Sequence, residues 1–298
     1  MSKPQRATPA GRAYLDLQKL ARTSGRTMQA LLSMYVSERW LARLAVSGHK
    51  SRFVLKGGVL LAALGQRRPT QDADLLAVRT SNDHDVVIDY VNQIASIGLA
   101  DGVQFDTSTT KAAAIREGDD YAGVRLTMNA ALASAQVKLK LDINFGDPVT
   151  PAPQLIALPT LLDGGDLAVL GYPIVTVLAE KICTAIQLGE ANTRIRDYVD
   201  LFNLTGAHVL AFAQTKLAVR STAAHRRTVL RPLGDAMGQL AATRAGNYRA
   251  YRSELGVDGA HLPADFAVVT QAVAAFADPL LGVLDDDARW DPETRAWH

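Results

Sequence analysis

Cysteine is almost absent from this 298-residue chain: Cys183 stands alone. A single thiol excludes an internal disulfide framework and a thiolate zinc cluster, and it suits a reducing compartment. Aromatic residues make up only 6%, and alanine-rich stretches such as Leu61 to Leu64 and Ala272 to Ala275 favour helix. No window approaches the roughly 20 apolar residues of a membrane span, and the segment from Ser2 to Arg12 is polar and basic rather than a secretory core. These absences lead us to expect a soluble cytoplasmic protein. With 48% hydrophobic residues the chain can bury a sizeable core, and its length suits two lobes better than one.

Net charge is only +2, yet the charges are unevenly placed. Between Lys216 and Arg252 eight basic residues face one acid, Asp235, giving that segment +7. From Ser253 to His298 nine acids, including Asp285, Asp286 and Asp287, face two arginines. A basic stretch followed by an acidic one suits a polyanionic partner for the former. Arg220, Arg226, Arg227 and Arg231 are its candidate RNA contacts, with Tyr248 and Tyr251 available to stack on bases.

Helical spacing predicts two N-terminal helices, over residues 8–22 and then through Leu32, Val36, Trp40 and Leu44. The apolar run 52–55 ends at Gly57-Gly58, after which helix resumes over 59–64. A loop closing at Pro69 leads to a second strand over 72–78. Further strands are expected at 103–110 and 121–128, separated by a polar stretch with Gly118. Alternation is clearest over 137–145, where Val137, Leu139, Leu141 and Ile143 share one face and Lys138, Lys140 and Asp142 the other. Pro148, Pro151, Pro153, Pro159 and Gly164-Gly165 mark a loop-rich connection with at most short strands. It divides an expected core domain, 1–160, from a mainly helical one, 161–298.

The chemistry concentrates at Asp72 and Asp74. Two carboxylates at i and i+2 on a strand share a face, so both can reach one cation. Oxygen ligands suit Mg2+ or Mn2+ holding a nucleoside triphosphate, with Asp142 as a possible third carboxylate. Gly57 and Gly58 lie between a strand and a helix, where bare amides can cradle phosphate.

Lys56-Gly57-Gly58, thirteen residues, then Asp72-Ala73-Asp74 resembles the nucleotidyltransferase superfamily signature. The strand at Lys140-Leu141-Asp142, the helix with Glu180-Lys181, and Arg196-Asp197-Tyr198-Val199-Asp200-Leu201 follow in order. Together they resemble the AbiEii family, nucleotidyltransferase-like toxins of type IV toxin-antitoxin systems that include the MenT toxins. The resemblance implies an α+β fold, with a mixed sheet and flanking helices in the first lobe and a mostly helical second lobe. It implies that Asp72 and Asp74 bind the metal, that Lys181 contacts triphosphate and that Asp200 is a late catalytic or metal-positioning acid. Thr70, Arg194 and Arg196 are then candidate nucleotide contacts. Many family members carry serine where this chain has Thr70, a position that a kinase-like antitoxin modifies in some.

The implied activity is transfer of a nucleoside monophosphate from an NTP, a pyrimidine one, to the 3′ end of tRNA, which blocks aminoacylation and translation. An antitoxin partner is implied too. Two other readings stay open at this stage: a small-molecule acceptor such as an aminoglycoside or a protein hydroxyl, and an inactive binding module.

Overall fold

The computed structural model describes residues 4–66, 70, 72–115 and 123–298. Pro69, Gly118 and the start of the strand expected at Tyr121 lie outside these residues. The chain divides into two compact units: Met1–Gly146 with Gln154–Gly171, and Asp147–Pro153 with Tyr172–His298.

In the first unit, α1 (Pro9–Ser24) starts at Thr8, whose side chain accepts from the Gly11 N–H, and stops at Gly25 in the left-handed region. Such a hydroxyl cap satisfies one of the orphan amides of the first turn. The second helix, α2 (Met28–Val46), is buried almost all round; Leu32, Val36, Trp40 and Leu44 all lie in the core. It packs against β5 (Ala135–Phe145) and β7 (Asp166–Gly171). Its two buried arginines are ion-paired: Arg43 forks onto Asp101 at 2.6 and 3.1 Å and Arg39 reaches Glu38 at 2.6 Å.

The sheet has seven strands. Besides β5 and β7 these are β1 (Phe53–Lys56), β2 (Ala73–Ala77), β3 (Val103–Ile115), β4 (Gly123–Leu132) and β6 (Gln154–Pro159). Their order is β3-β4-β5-β2-β1-β7-β6. It is a mixed sheet: β2 runs parallel to β5 and β1 parallel to β7, while the other neighbours are antiparallel. The short helix α3 (Gly57–Leu60) joins β1 to β2, and α4 (His84–Ala95) packs against β3.

The connection expected to be loop-rich with at most short strands holds the β6–β7 hairpin. Both strands have six residues and six paired positions. Pro159 sits at the last position of an edge strand, where a missing N–H does no harm. The expected domain break at 160/161 falls in the turn of this hairpin, and both strands stay with the sheet.

The second unit holds α5 (Ile174–Leu188), α6 (Ile195–Thr205), α7 (Phe212–His225), α8 (Leu233–Met237), α9 (Leu240–Thr243), α10 (Ala245–Leu255) and α11 (Phe266–Ala277). A three-stranded sheet of β8 (Leu210–Ala211), β9 (Arg289–Asp291) and β10 (Ala296–Trp297) accompanies the helices. Strands of two or three residues carry no periodicity, so the sequence pattern did not announce them. The core is aromatic: Tyr198, Phe212, Tyr248, Phe266, Phe276 and Trp290 are fully buried, with Tyr248 stacked on Phe266 at 4.8 Å. Among the described residues no helix is long and apolar enough to cross a membrane.

Candidate active site

Strand register builds the first cluster. Asp74 on β2 stands directly opposite Asp142 on the parallel β5 and opposite Lys56 on β1. Asp72 immediately precedes β2 and, two residues from Asp74, projects toward the same face. Arg125 on β4 stands opposite Asp142. Four adjacent strands thus bring three carboxylates and a guanidinium together.

The glycine turn is shaped around Asp74. Gly57 has φ +64, and a Cβ built on it would overlap Asp74 Oδ2. Both the backbone angle and the close approach require glycine here. The Gly58 N–H donates to the Asp74 carboxylate, so this amide fixes a carboxylate rather than standing open to phosphate. Burial pushes the Asp74 pKa up, with Asp142 and Asp72 adding to the rise and Lys56 and the Gly58 N–H opposing it. Thr70 Oγ1 donates to the Asp72 carbonyl at 3.1 Å. Thr70 and Gly58 also border a small cleft lined by Met34, Glu38, Val59, Ala62 and Leu158.

Arg125 is the residue that sequence reasoning missed. Its Nε and one terminal nitrogen each donate to an Asp142 oxygen at 2.7 Å, and the same terminal nitrogen reaches Asp72 Oδ2 at 3.3 Å. Neighbouring acids raise the Arg125 pKa, led by its hydrogen bond to Asp142. Both oxygens of Asp142, the expected third metal ligand, are therefore engaged by Arg125. Among the described residues no group of three His, Cys, Asp or Glu side chains is arranged to hold a metal.

The aspartate pair nonetheless fits a hard cation. Asp72 Oδ1 is buried and has no hydrogen-bond partner among the described residues; Lys140 Nζ is 3.8 Å away. A buried carboxylate oxygen left without a hydrogen bond is costly, and an ammonium at this distance offsets that only in part. Oxygen donors on one strand face suit a divalent ion of the Mg2+ or Mn2+ kind.

A second cluster lies in the helical unit. Lys181 on α5 is only 14% exposed and sits between Asp197 and Asp200 of α6, at 2.6 and 2.9 Å. Burial alone would lower the lysine pKa, but Asp200 and Asp197 outweigh it and the net direction is up. Lys181 is thus a fixed ammonium, not a side chain extending to solvent. Asp200 is itself 4% exposed. Arg194 lies 4.0 Å from Asp197, and Arg196 is exposed.

These motifs are found elsewhere. The sequence pattern of a family described as nucleotidyl transferase AbiEii toxin, type IV TA system, matches residues 39–291. The chain belongs to the AbiEii family. It is accordingly a nucleotidyltransferase, of a toxin family that takes NTP as donor. No curated protein matches the chain. Among solved structures, MenT4, a nucleotidyltransferase toxin from Mycobacterium tuberculosis H37Rv, has 20% identity and a TM-score of 0.55 over 91% of each chain. That likeness shows the fold. JHP933 from Helicobacter pylori has 16% identity and a TM-score of 0.39, covering 76% of this chain and 95% of its own.

The basic segment divides on inspection. Arg220, Arg227 and Arg231 are exposed, whereas Arg226 bonds Glu180 at 2.9 Å and Thr184 at 3.0 Å, tying α7 to α5. Arg244 and Arg252 donate to backbone carbonyls of Asn192 and Leu262. Tyr248 is fully buried, its hydroxyl on the Pro263 carbonyl at 2.6 Å. It cannot stack on a base without unpacking the core.

Proposed function

We propose that this AbiEii-family enzyme transfers a nucleoside monophosphate from an NTP to the 3′ end of tRNA, and that this blocks aminoacylation and translation. The observation that carries the transfer chemistry is the aspartate pair on one face, locked by the Gly57 turn, with a buried Asp72 oxygen that has no hydrogen-bond partner among the described residues. Exposed Arg220, Arg227 and Arg231 support a phosphate-rich acceptor. The pyrimidine donor rests on the family resemblance.

In this reading Asp72 and Asp74 hold Mg2+ or Mn2+, which when bound supplies charge stabilisation at the transferring phosphoryl group. The acceptor hydroxyl oxygen forms a bond to the α-phosphorus in line with the departing bridge oxygen. The α–β phosphoanhydride bond breaks, pyrophosphate leaves, and the hydroxyl proton passes to one of the aspartates. The family resemblance assigns Lys181, kept charged by Asp200 and Asp197, a contact to the triphosphate. Arg194 and Arg196 offer planar forks for the same purpose. Thr70 borders the cleft beside Gly58 and orders the turn into Asp72.

The acceptor is tested by supplying each α-labelled NTP with intact tRNA and with tRNA whose terminal diol has been oxidised by periodate. Label should enter intact tRNA only, with CTP or UTP preferred. Equal labelling of both, or labelling confined to an added aminoglycoside or protein, would remove the tRNA 3′ end as acceptor. The antitoxin partner is tested separately, by whether a co-expressed antitoxin copurifies with the chain or alters Thr70.

A further inference from the structure

The carboxylate cluster carries its own counter-charge. Asp72, Asp74 and Asp142 are matched on neighbouring strands by Lys56, opposite Asp74, by Lys140, near Asp72, and by Arg125, in contact with Asp142 and Asp72. Among the described residues three negative and three positive groups balance without any added ion. Their contacts are unequal. The Arg125 fork onto Asp142 is short and two-pronged, while its contact to Asp72 is a single bond of 3.3 Å.

We propose that Arg125 is the resident counter-cation of the aspartate site: it fixes Asp142 through both oxygens and occupies the approach to Asp72, so that a divalent cation enters by displacing its contact to Asp72. This rests on the reading that Asp72 and Asp74 bind that cation. The fork onto Asp142 makes Arg125 a positioning residue and leaves Asp142 outside the coordinating pair. Displacement from Asp72 also sets a positive charge beside the bound cation, where an incoming triphosphate carries its negative charge. Metal loading and nucleotide loading are thereby coupled through one side chain.

A lysine in its place keeps the charge but lacks the planar fork, and cannot grip Asp142 by two oxygens while also reaching Asp72. A glutamine removes the competing charge. The test measures Mn2+ binding to the full chain without nucleotide, by electron paramagnetic resonance, together with melting temperature in chelator and in Mn2+. Affinity should rise from wild type through Arg125→Lys to Arg125→Gln, by roughly tenfold at the end of the series. In chelator, Arg125→Gln should melt lower, because three carboxylates then repel, and its gain in melting temperature on adding Mn2+ should exceed that of wild type. If Arg125→Gln does not fold, Arg125→Lys must still bind Mn2+ more tightly than wild type. Asp72→Asn serves as the reference. Should wild type bind Mn2+ and Asp72→Asn lose it, while neither Arg125 variant binds more tightly, the inference fails and the aspartate reading stands. Should neither wild type nor Arg125→Gln bind Mn2+, both fail.

Discussion

Gly57 and Asp74 are built around each other: the left-handed glycine leaves the space that the Asp74 carboxylate fills, and a methyl group there would overlap Oδ2. Gly57→Ala combines a strained backbone with displacement of the Asp74 carboxylate. It should destabilise the first unit by about 2 kcal/mol and reduce nucleotidyl transfer by about a hundredfold or more. Melting curves and initial rates check this, and an alanine variant at wild-type rate would show that the turn has no hold on Asp74.

Asp74 itself trades stability for function. Its charged form is disfavoured by burial, so its folded pKa lies above the ordinary value. For a raised carboxyl the stabilising contribution is full below the unfolded pKa and is lost as pH rises through the folded one. At neutral pH in chelator, Asp74→Asn should therefore melt higher than wild type. Its transfer activity should be abolished.

How much of this was legible depended on the range of the interactions. The strand, glycine turn, helix and second strand around Gly57 and Asp72 are local, and period-two alternation placed Asp142 on the polar face of β5. Arg125 was not legible, although Val124, Leu126 and Met128 alternate around it, because its meaning lies in facing Asp142 across a strand pair. Register between strands is a long-range property. Charge counting likewise cannot tell Arg226, bound to Glu180, from exposed Arg227, nor can it tell that Tyr248 points into a core. The Glu180-Lys181 and Arg196–Leu201 motifs were readable, but the embrace of Lys181 by Asp197 and Asp200 needed two helices in contact.

Lys181 holds that embrace together. Lys181→Met leaves Asp200, 4% exposed, without its ammonium, and should cost about 3 kcal/mol. The lysine pKa is raised from its ordinary 10.5, so its contribution is complete below that value and declines only as pH climbs through the higher folded value. The difference in melting temperature between wild type and Lys181→Met should be constant from about pH 6 to 9 and shrink only above about pH 10.5. A difference that fell away near neutrality would contradict a charged, doubly paired lysine.

The arginines of the second unit should separate into two kinds. Replacing exposed Arg220, Arg227 and Arg231 by alanine should weaken tRNA binding, and each phosphate contact removed should reduce the salt slope by about one. Arg226→Ala should instead lower the melting temperature, because it breaks the tie between α7 and α5. Equal effects of all four on tRNA binding would overturn this division.

The central claim is that Asp72 and Asp74 carry nucleotidyl transfer, and the most direct measurement is release of pyrophosphate with transfer of α-labelled nucleotide to tRNA, in Mg2+ or Mn2+, by wild type beside Asp72→Ala. Wild type should label tRNA and release pyrophosphate in equal amounts, and the folded Asp72→Ala protein should do neither. Equal labelling by the two proteins, or no transfer by wild type with any NTP in either metal, would contradict it.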